Sequence, residues 1–315
     1  MPADDGKRGT IVAIGGREVP GSDLEVLATF VACCGGPDAR LVVLSAASRD
    51  PASRRRVYES AFRTLGVAEV AHFHQEHREE AADPALLAAI DAADGVFFTG
   101  GSQLKLVSTI GGTPLAARLV ERHRSGMTLG GSSAGASAMS AVMIARGTGR
   151  MAARLGSVRM SPGLGYLPDI IVDQHFRERD RFGRLLATVL CNPSMLGFGL
   201  DEDTAFILDG TDRVSVCGSG TLTIVDGTQL QATDIDAVPD YAPAAFAGMR
   251  LHALSAGWSF DLGTRRVSAP VAALAAPECE ITDDWPAPGP GASCEDEFAP
   301  AAGAAESHAG PARSR

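Results

Sequence analysis

Short apolar runs alternate with stretches of helical period through the first two hundred residues. Thr10 to Gly15 reads as a buried strand, and Leu24 to Cys34, entered through Ser22 or Asp23, reads as a helix. Leu41 to Ser45, Val67 to Phe73 and Gly95 to Thr99 follow as strands, with helices over Pro51 to Leu65 and Pro84 to Ala92. Pro114 to Arg124 is helical and Met127 to Gly130 is a short strand. This alternation predicts an α/β fold, a mostly parallel sheet flanked by helices. Further on the pattern changes. Ala205 to Leu208, Arg213 to Val216 and Thr221 to Val225 are short strands separated by turn residues, and Met249 to Leu254 and Trp258 to Leu262 add two more. They read as antiparallel hairpins at a sheet edge or end. No internal repeat is present.

The pattern divides the chain into a short leading tail, residues 1–9, a domain over 10–270, and a distinct segment over 271–315. That last segment holds 13 alanines and 6 prolines among its 45 residues, with little hydrophobic periodicity. It is expected to be disordered from about residue 280.

The 315 residues are 45% hydrophobic and 21% charged, which excludes a wholly disordered chain and allows a substantial core. Lys and Arg number 28 against 38 Asp and Glu, a net charge of −10 that argues against nucleic-acid binding. No apolar run approaches the roughly 18–20 residues of a membrane span. The first residues are polar, with no apolar leader. The six cysteines (Cys33, Cys34, Cys191, Cys217, Cys279 and Cys294) make no C-x-x-C pair. Neither a disulfide framework nor a zinc site is expected, and a cytoplasmic location fits best. No cofactor is implied: Gly15-Gly16 is not followed by the G-x-G-x-x-G spacing, and no metal-ligand cluster stands out.

Candidate chemistry starts at Gly131-Ser132-Ser133-Ala134-Gly135, a G-x-S-x-G after a strand and before a small-residue helical stretch. A nucleophile elbow needs that context; a plain Gly-Ser turn is the competing reading. Ser133 would then stand at the sheet's C-terminal edge. Of the seven histidines, His175 stands out as a base, because it closes the apolar run Asp169 to His175 beside Asp173 and Gln174. Phe176 to Leu186 reads as a helix with Arg177, Arg181 and Arg184 on one face and Arg179 elsewhere. Arginines in a first helical turn oppose the helix dipole, and substrate carboxylates are one reason to have them. Asp201, Glu202 and Asp203 offer an acidic partner for His175, but spacing does not choose among them. The backbone near Gly100-Gly101, before a helix that includes Gln103, and the N–H of Ala134 could form an oxyanion hole.

Together these residues resemble the cyanophycinases, within a serine-peptidase family that also contains aspartyl dipeptidase. The matching segments are Ile14 to Gly16, Phe98 to Gln103, Gly131 to Ala136, Asp173 to Phe176 with Arg179, Arg181 and Arg184, and Gly199 to Ala205. The resemblance covers roughly residues 10–265. It implies a fold like the class I glutamine amidotransferases, with serine in place of their cysteine. It also implies hydrolysis of cyanophycin, a polyaspartate with arginine on each β-carboxyl group, to β-aspartyl-arginine dipeptides. It casts Ser133 as nucleophile, His175 as base and Glu202 as the acid. It places Gln103, Asp173, Gln174, Arg179, Arg181 and Arg184 against substrate. Among these, Arg181 and Arg184 are expected to read a substrate carboxylate and Asp173 to lie nearer its guanidinium. Ser102 departs from the usual Asp, which is expected to weaken a contact to the substrate's cationic part, and Ser132 replaces the usual Thr, a milder change. The competing readings are an aspartyl or isoaspartyl dipeptidase for short peptides and a catalytically silent binding protein on the same fold. A homodimer is left open.

Overall fold

The computed structural model describes residues 8–18, 24–148 and 152–270. The chain opens with β1 (Ile11–Ile14), α1 (Glu25–Cys33), β2 (Arg40–Leu44), α2 (Pro51–Thr64), β3 (Glu69–Phe73), α3 (Pro84–Ala92) and β4 (Gly95–Phe98). It continues through α4 (Gln103–Ile110), α5 (Pro114–Arg124), β5 (Thr128–Ser132), α6 (Ala134–Ala138), β6 (Val142–Gly147), β7 (Val158–Pro162) and β8 (Ile170–Gln174). Then come α7 (Phe182–Cys191), β9 (Leu196–Leu200), β10 (Thr204–Leu208), β11 (Arg213–Gly218) and β12 (Leu222–Asp226). The last strands are β13 (Ala232–Thr233), β14 (Phe246–Ala247), β15 (Arg250–Leu254), β16 (Ser259–Asp261) and β17 (Arg266–Ser268).

The helix starts are written in the sequence. Asp50, Asp83, Ser102 and Thr113 each accept a backbone N–H from the first turn of α2, α3, α4 and α5, and Pro51, Pro84 and Pro114 open three of those helices. Each cap satisfies a donor that the helix cannot, and proline there loses no hydrogen bond.

A nine-stranded sheet runs β17-β16-β11-β10-β1-β5-β4-β2-β3. Pairing is parallel from β1 to β3 and antiparallel across β10, β11, β16 and β17. The parallel strands alternate strictly between two cores. Val12, Ile14 and Phe97 point towards α1 and α2, where Phe30, Tyr58 and Phe62 surround Phe97. Ile11, Ala13, Val96 and Phe98 point to the opposite side, into a core built with α3 to α6. The period of two along each strand makes both faces apolar, so these strands read as continuous hydrophobic runs.

The α/β reading holds, with parallel pairing concentrated in those five strands. The sequence pattern did not separate a second, four-stranded sheet, β15-β12-β9-β8. Here β8 and β9 run parallel, and β12 and β15 complete the sheet antiparallel. So β12, expected in a hairpin with its predecessors, pairs elsewhere. Apolar periodicity reports burial, not partner, so strands of two sheets look alike. The inner face of this sheet (Ile170, Val172, Phe198, Leu222) joins the main core, and its outer face packs on α7 through Ile171, Leu185, Val189 and Val225. The β6–β7 hairpin was also not expected. Among the described residues no helix is long and apolar enough to cross a membrane. The alanine-rich segment over 271–315 lies outside the described residues.

Phe97→Ala should cost about 3–5 kcal/mol, because it empties the centre of the aromatic cluster beneath α1 and α2. Urea denaturation would check this; a loss below 1 kcal/mol would mean the cluster repacks around the gap.

Candidate active site

β5 lies between β1 and β4 in the middle of the parallel half, with Ser132 level with Ile14 and Gly131 level with Phe98. The next residue, Ser133, turns the chain sharply into α6, with φ 53° and ψ −110°. This left-handed backbone is costly for a residue with a Cβ, by about 1–3 kcal/mol, and needs support from its surroundings. Support comes from two sides. The Ser133 N–H donates to Ile14 O at 2.9 Å. Gly135 lets α6 press onto β4: a Cβ there would stand 2.2 Å from the Phe98 carbonyl oxygen.

His175 follows β8, and Glu202 follows β9 two residues beyond Leu200; Leu200 is level with Gln174. Adjacent parallel strands thus end with a base and an acid side by side. Ser133 Oγ lies 2.8 Å from His175 Nε2, and His175 Nδ1 lies 2.7 Å from Glu202 Oε1. The second oxygen of Glu202 accepts from Arg17 at 3.2 Å. The imidazole packs against Gly16 (φ +112°), where a Cβ would come within 2.3 Å of the ring. Burial holds His175 below the usual histidine range; the hydrogen bond it donates to Glu202 works against this, and Arg179 and Arg181 add to the lowering. A neutral imidazole beside a serine hydroxyl is a base ready to take its proton.

The pair opens into a cavity of about 570 Å³. Its wall includes Gly100, Gly101, Gln103, Gln174, Arg179, Arg181 and Arg184 from the sequence-based set. Ala134 follows Ser133 directly at the start of α6 and is buried. Gln103 Nε2 donates to the carbonyls of Ile144 at 2.9 Å and Ala145 at 3.3 Å, fastening α4 to β6.

The arginine-rich segment corrects two expectations. Residues 176–180 form turns, and α7 begins only at Phe182, so Arg177 shares no helix face with Arg181 and Arg184. Asp180, with φ 48°, interrupts any helix before that point. Arg177 is exposed and lies by Glu178. Asp173 does not line the cavity. Its side chain is 1% exposed, and both its oxygens are engaged: Arg184 Nε donates to Oδ2 at 2.6 Å and Arg181 to Oδ1 at 3.3 Å, with a further Arg184–Oδ1 contact. Arg181 also donates to Gln174 Oε1 at 2.8 Å and to the Gln174 carbonyl, and Arg184 to the Gly147 carbonyl at 3.0 Å. Burial pushes the Arg181 guanidinium down to about 10, with Asp173 opposing, so it stays a cation at neutral pH. Asp173 is therefore the anchor that makes two buried cations tolerable at the cavity wall.

Ser102 caps α4 through Lys105 N–H at 3.3 Å and is not among the wall residues. Ser132 donates to Glu18 Oε2 at 2.7 Å, a bond that a threonine hydroxyl could equally make. Glu18 also accepts from Tyr58, whose phenol is pushed well up by burial and by Glu18 itself and so remains a donor. The sequence reading missed Arg17, Glu18, Arg54, Tyr58 and Arg146, all on the cavity wall. A signal existed for the first two, which directly follow a parallel strand, where α/β sites gather. Arg54 and Tyr58 hide in a helix that reads as an ordinary charged face. Among the described residues no group of three or more His, Cys, Asp or Glu could hold a metal ion.

Asp173→Asn should cost about 3–5 kcal/mol, since Arg181 and Arg184 would remain buried without their carboxylate. Denaturation of variant and wild type would check it. A change under 1 kcal/mol would mean that both arginines relax into solvent.

Comparison with known proteins adds independent information. Residues 11–216 match the model of peptidase family S51. The chain is 37% identical over 263 residues to a cyanophycinase of Synechococcus elongatus, spanning 83% of this chain and 82% of that protein. It is 38% identical over 258 residues to a cyanophycinase of Trichormus variabilis, spanning 82% and 87%. The crystal structure of a peptidase from an acI-B1 Actinobacterium has a similar fold, with TM-score 0.58 and 23% identity over 81% of this chain and 97% of that one. A serine on a strained elbow, hydrogen-bonded to a histidine at the end of a neighbouring sheet, thus stands in a chain that belongs to peptidase family S51.

Proposed function

We propose that this protein is a serine exopeptidase that hydrolyses cyanophycin to β-aspartyl-arginine dipeptides. The observation that carries the reading is the unbroken Ser133–His175–Glu202 hydrogen-bond chain opening into an arginine-walled cavity. The kinship with cyanophycinases supports the choice of polymer. Each repeat of cyanophycin carries a free carboxylate on its arginine, and a basic cavity in a protein of net charge −10 suits such a ligand.

The mechanism follows from the geometry. His175 Nε2 takes the Ser133 proton as Oγ attacks the α-peptide carbonyl carbon between aspartyl residues. Glu202 holds the Nδ1 proton and stabilises the imidazolium. The N–H groups of Gly101 and Ala134 receive the oxyanion. His175 passes its proton to the leaving amine, which frees the chain and leaves an acyl-enzyme on Ser133. Water, deprotonated by His175, then releases the dipeptide and restores the serine. Arg181, Arg184 and Gln174 face the carboxylate of the bound unit, with Asp173 positioning them, and Arg179 and Gln103 complete the wall.

Ser133→Ala should lower release of soluble dipeptide from insoluble cyanophycin by more than about a thousandfold with an unchanged melting temperature. Mass analysis of the soluble products checks this, and activity within tenfold of wild type excludes Ser133 as nucleophile. Hydrolysis of β-aspartyl dipeptides with the polymer left intact would assign a dipeptidase instead. Failure to react with a serine-directed phosphonate would leave a silent binding protein.

Protonation of His175 removes the base, so activity falls on the acid side. Because the folded value is lowered, that fall should be centred below about 6.5, the ordinary histidine value. Arg179→Ala removes a nearby cation that disfavours the imidazolium, so the acid limb should move upward. The rate of phosphonate inactivation against pH reads both, without relying on substrate binding. An acid limb above 7 in the wild type would contradict the burial of His175.

A further inference from the structure

Among the described residues six arginines line the cavity, and they differ in what holds them. Arg181 and Arg184 are buried on Asp173, and Arg17 leans on Glu202. Arg54, Arg146 and Arg179 are exposed, and none of the three has a hydrogen bond from the side chain or a salt bridge among the described residues; Arg179 stands beside His175, which leaves Arg54 and Arg146 as the two away from the reacting groups. These two reach the cavity from unrelated elements, α2 and β6.

Neither stands where the fold would favour a cation. Arg54 is the fourth residue of α2, near the positive end of the helix dipole, where the Asp50 cap is the acidic group of the helix start and is already engaged by the Ser53 N–H. Arg146 lies directly across the β6–β7 ladder from Arg159, and like charges facing each other weaken a strand pair. The register of β6 shifts between Ile144 and Arg146, an irregularity of the kind that re-aims a side chain. The two positions thus cost stability on separate grounds, and both point at the same cavity. Their exposure places them at its rim, outside the buried Arg181–Arg184 pair.

We propose that Arg54 and Arg146 form an outer carboxylate subsite that holds the arginine carboxylate of the repeat adjoining the one being cleaved. This rests on the cyanophycin reading and deepens it: inner arginines read the unit at Ser133, and rim arginines read its neighbour. A guanidinium free of protein partners pairs with a carboxylate through its planar fork, and a rim position leaves room for the rest of the chain. The consequence is a preference for substrates longer than the minimal scissile unit, strongest at low salt because the rim is solvated.

The test uses two synthetic β-aspartyl-arginine oligomers of equal length. In one, every repeat carries arginine. In the other, the repeat adjoining the scissile unit carries agmatine, which is arginine without its carboxylate. The full chain should cleave the first with a kcat/KM about tenfold higher, mainly through KM. In the Arg54→Gln/Arg146→Gln double variant this ratio should fall to near one. Unequal cleavage in the wild type with the same ratio in the variant overturns the subsite, and so does equal cleavage of both oligomers by the wild type. If the wild type cleaves neither oligomer nor cyanophycin, the functional reading itself falls and takes this inference with it. Both arginines are exposed, so the variant should fold, and its rate of phosphonate labelling at Ser133 reports whether the elbow is intact.

Discussion

Three consecutive carbonyl groups at the end of β1 hold the reacting groups together. Ile14 O accepts from the Ser133 N–H, Gly15 O from the His175 N–H, and Gly16 O from the N–H of Asp203, next to Glu202. The first two bonds are 2.9 Å and the third 2.7 Å. The nucleophile comes from the nine-stranded sheet, while the base and the acid come from the other. One short backbone segment thus aligns three groups that come from two sheets. The donors are loop N–H groups that would otherwise be buried unpaired, so moving any of the three loops carries a desolvation cost. The left-handed backbones of Ser133, His175 and Asp203 are tolerable for the same reason. Each is fixed by a bond or a close contact to this segment.

Charge is arranged around that frame in two tiers. Deep in the wall, Asp173 gives up both oxygens to Arg181 and Arg184, so that cations can line a cavity without being left unpaired in the protein interior. At the surface, solvent does that work, and arginines stand there without protein partners. Burial above all keeps His175 neutral, and Arg179 and Arg181 add to it by making protonation unfavourable, while Glu202 opposes them and keeps the ring oriented. Binding charge and catalytic basicity are therefore coupled: the positive field that suits an anionic substrate also keeps the base ready.

Much of this was legible in the chain. The strand–helix alternation, the proline and acidic or hydroxyl helix starts, the G-x-S-x-G after a short strand and the histidine closing an apolar run are all local features. Local sterics and local hydrogen bonding dictate them, and the structure places Ser133, His175 and Glu202 in one hydrogen-bond chain. The choice of Glu202 among three adjacent carboxylates came from family resemblance. The structure shows why spacing could not decide it: Asp201 turns inward to Thr221 and the Arg177 N–H, Asp203 turns to Ser219, and only Glu202 meets the imidazole.

What tertiary structure alone decided is which partner each element takes. Apolar period reveals that a strand is buried, and is silent about the sheet it joins, so β8, β9 and β12 could not be assigned to their own sheet from pattern. The helix expected to begin at Phe176 begins at Phe182, after a run of turns in which Asp180 takes a φ of 48° that no helix continues through. Asp173, which the resemblance sets against substrate, is buried between Arg181 and Arg184 in the folded chain, since the identity of an ion pair depends on which side chains meet after folding. The sequence by itself determined the elements and the residue types at their ends, since these follow from forces that act within a few residues. Only the folded chain decided who faces whom, since that is settled by packing between segments far apart in sequence.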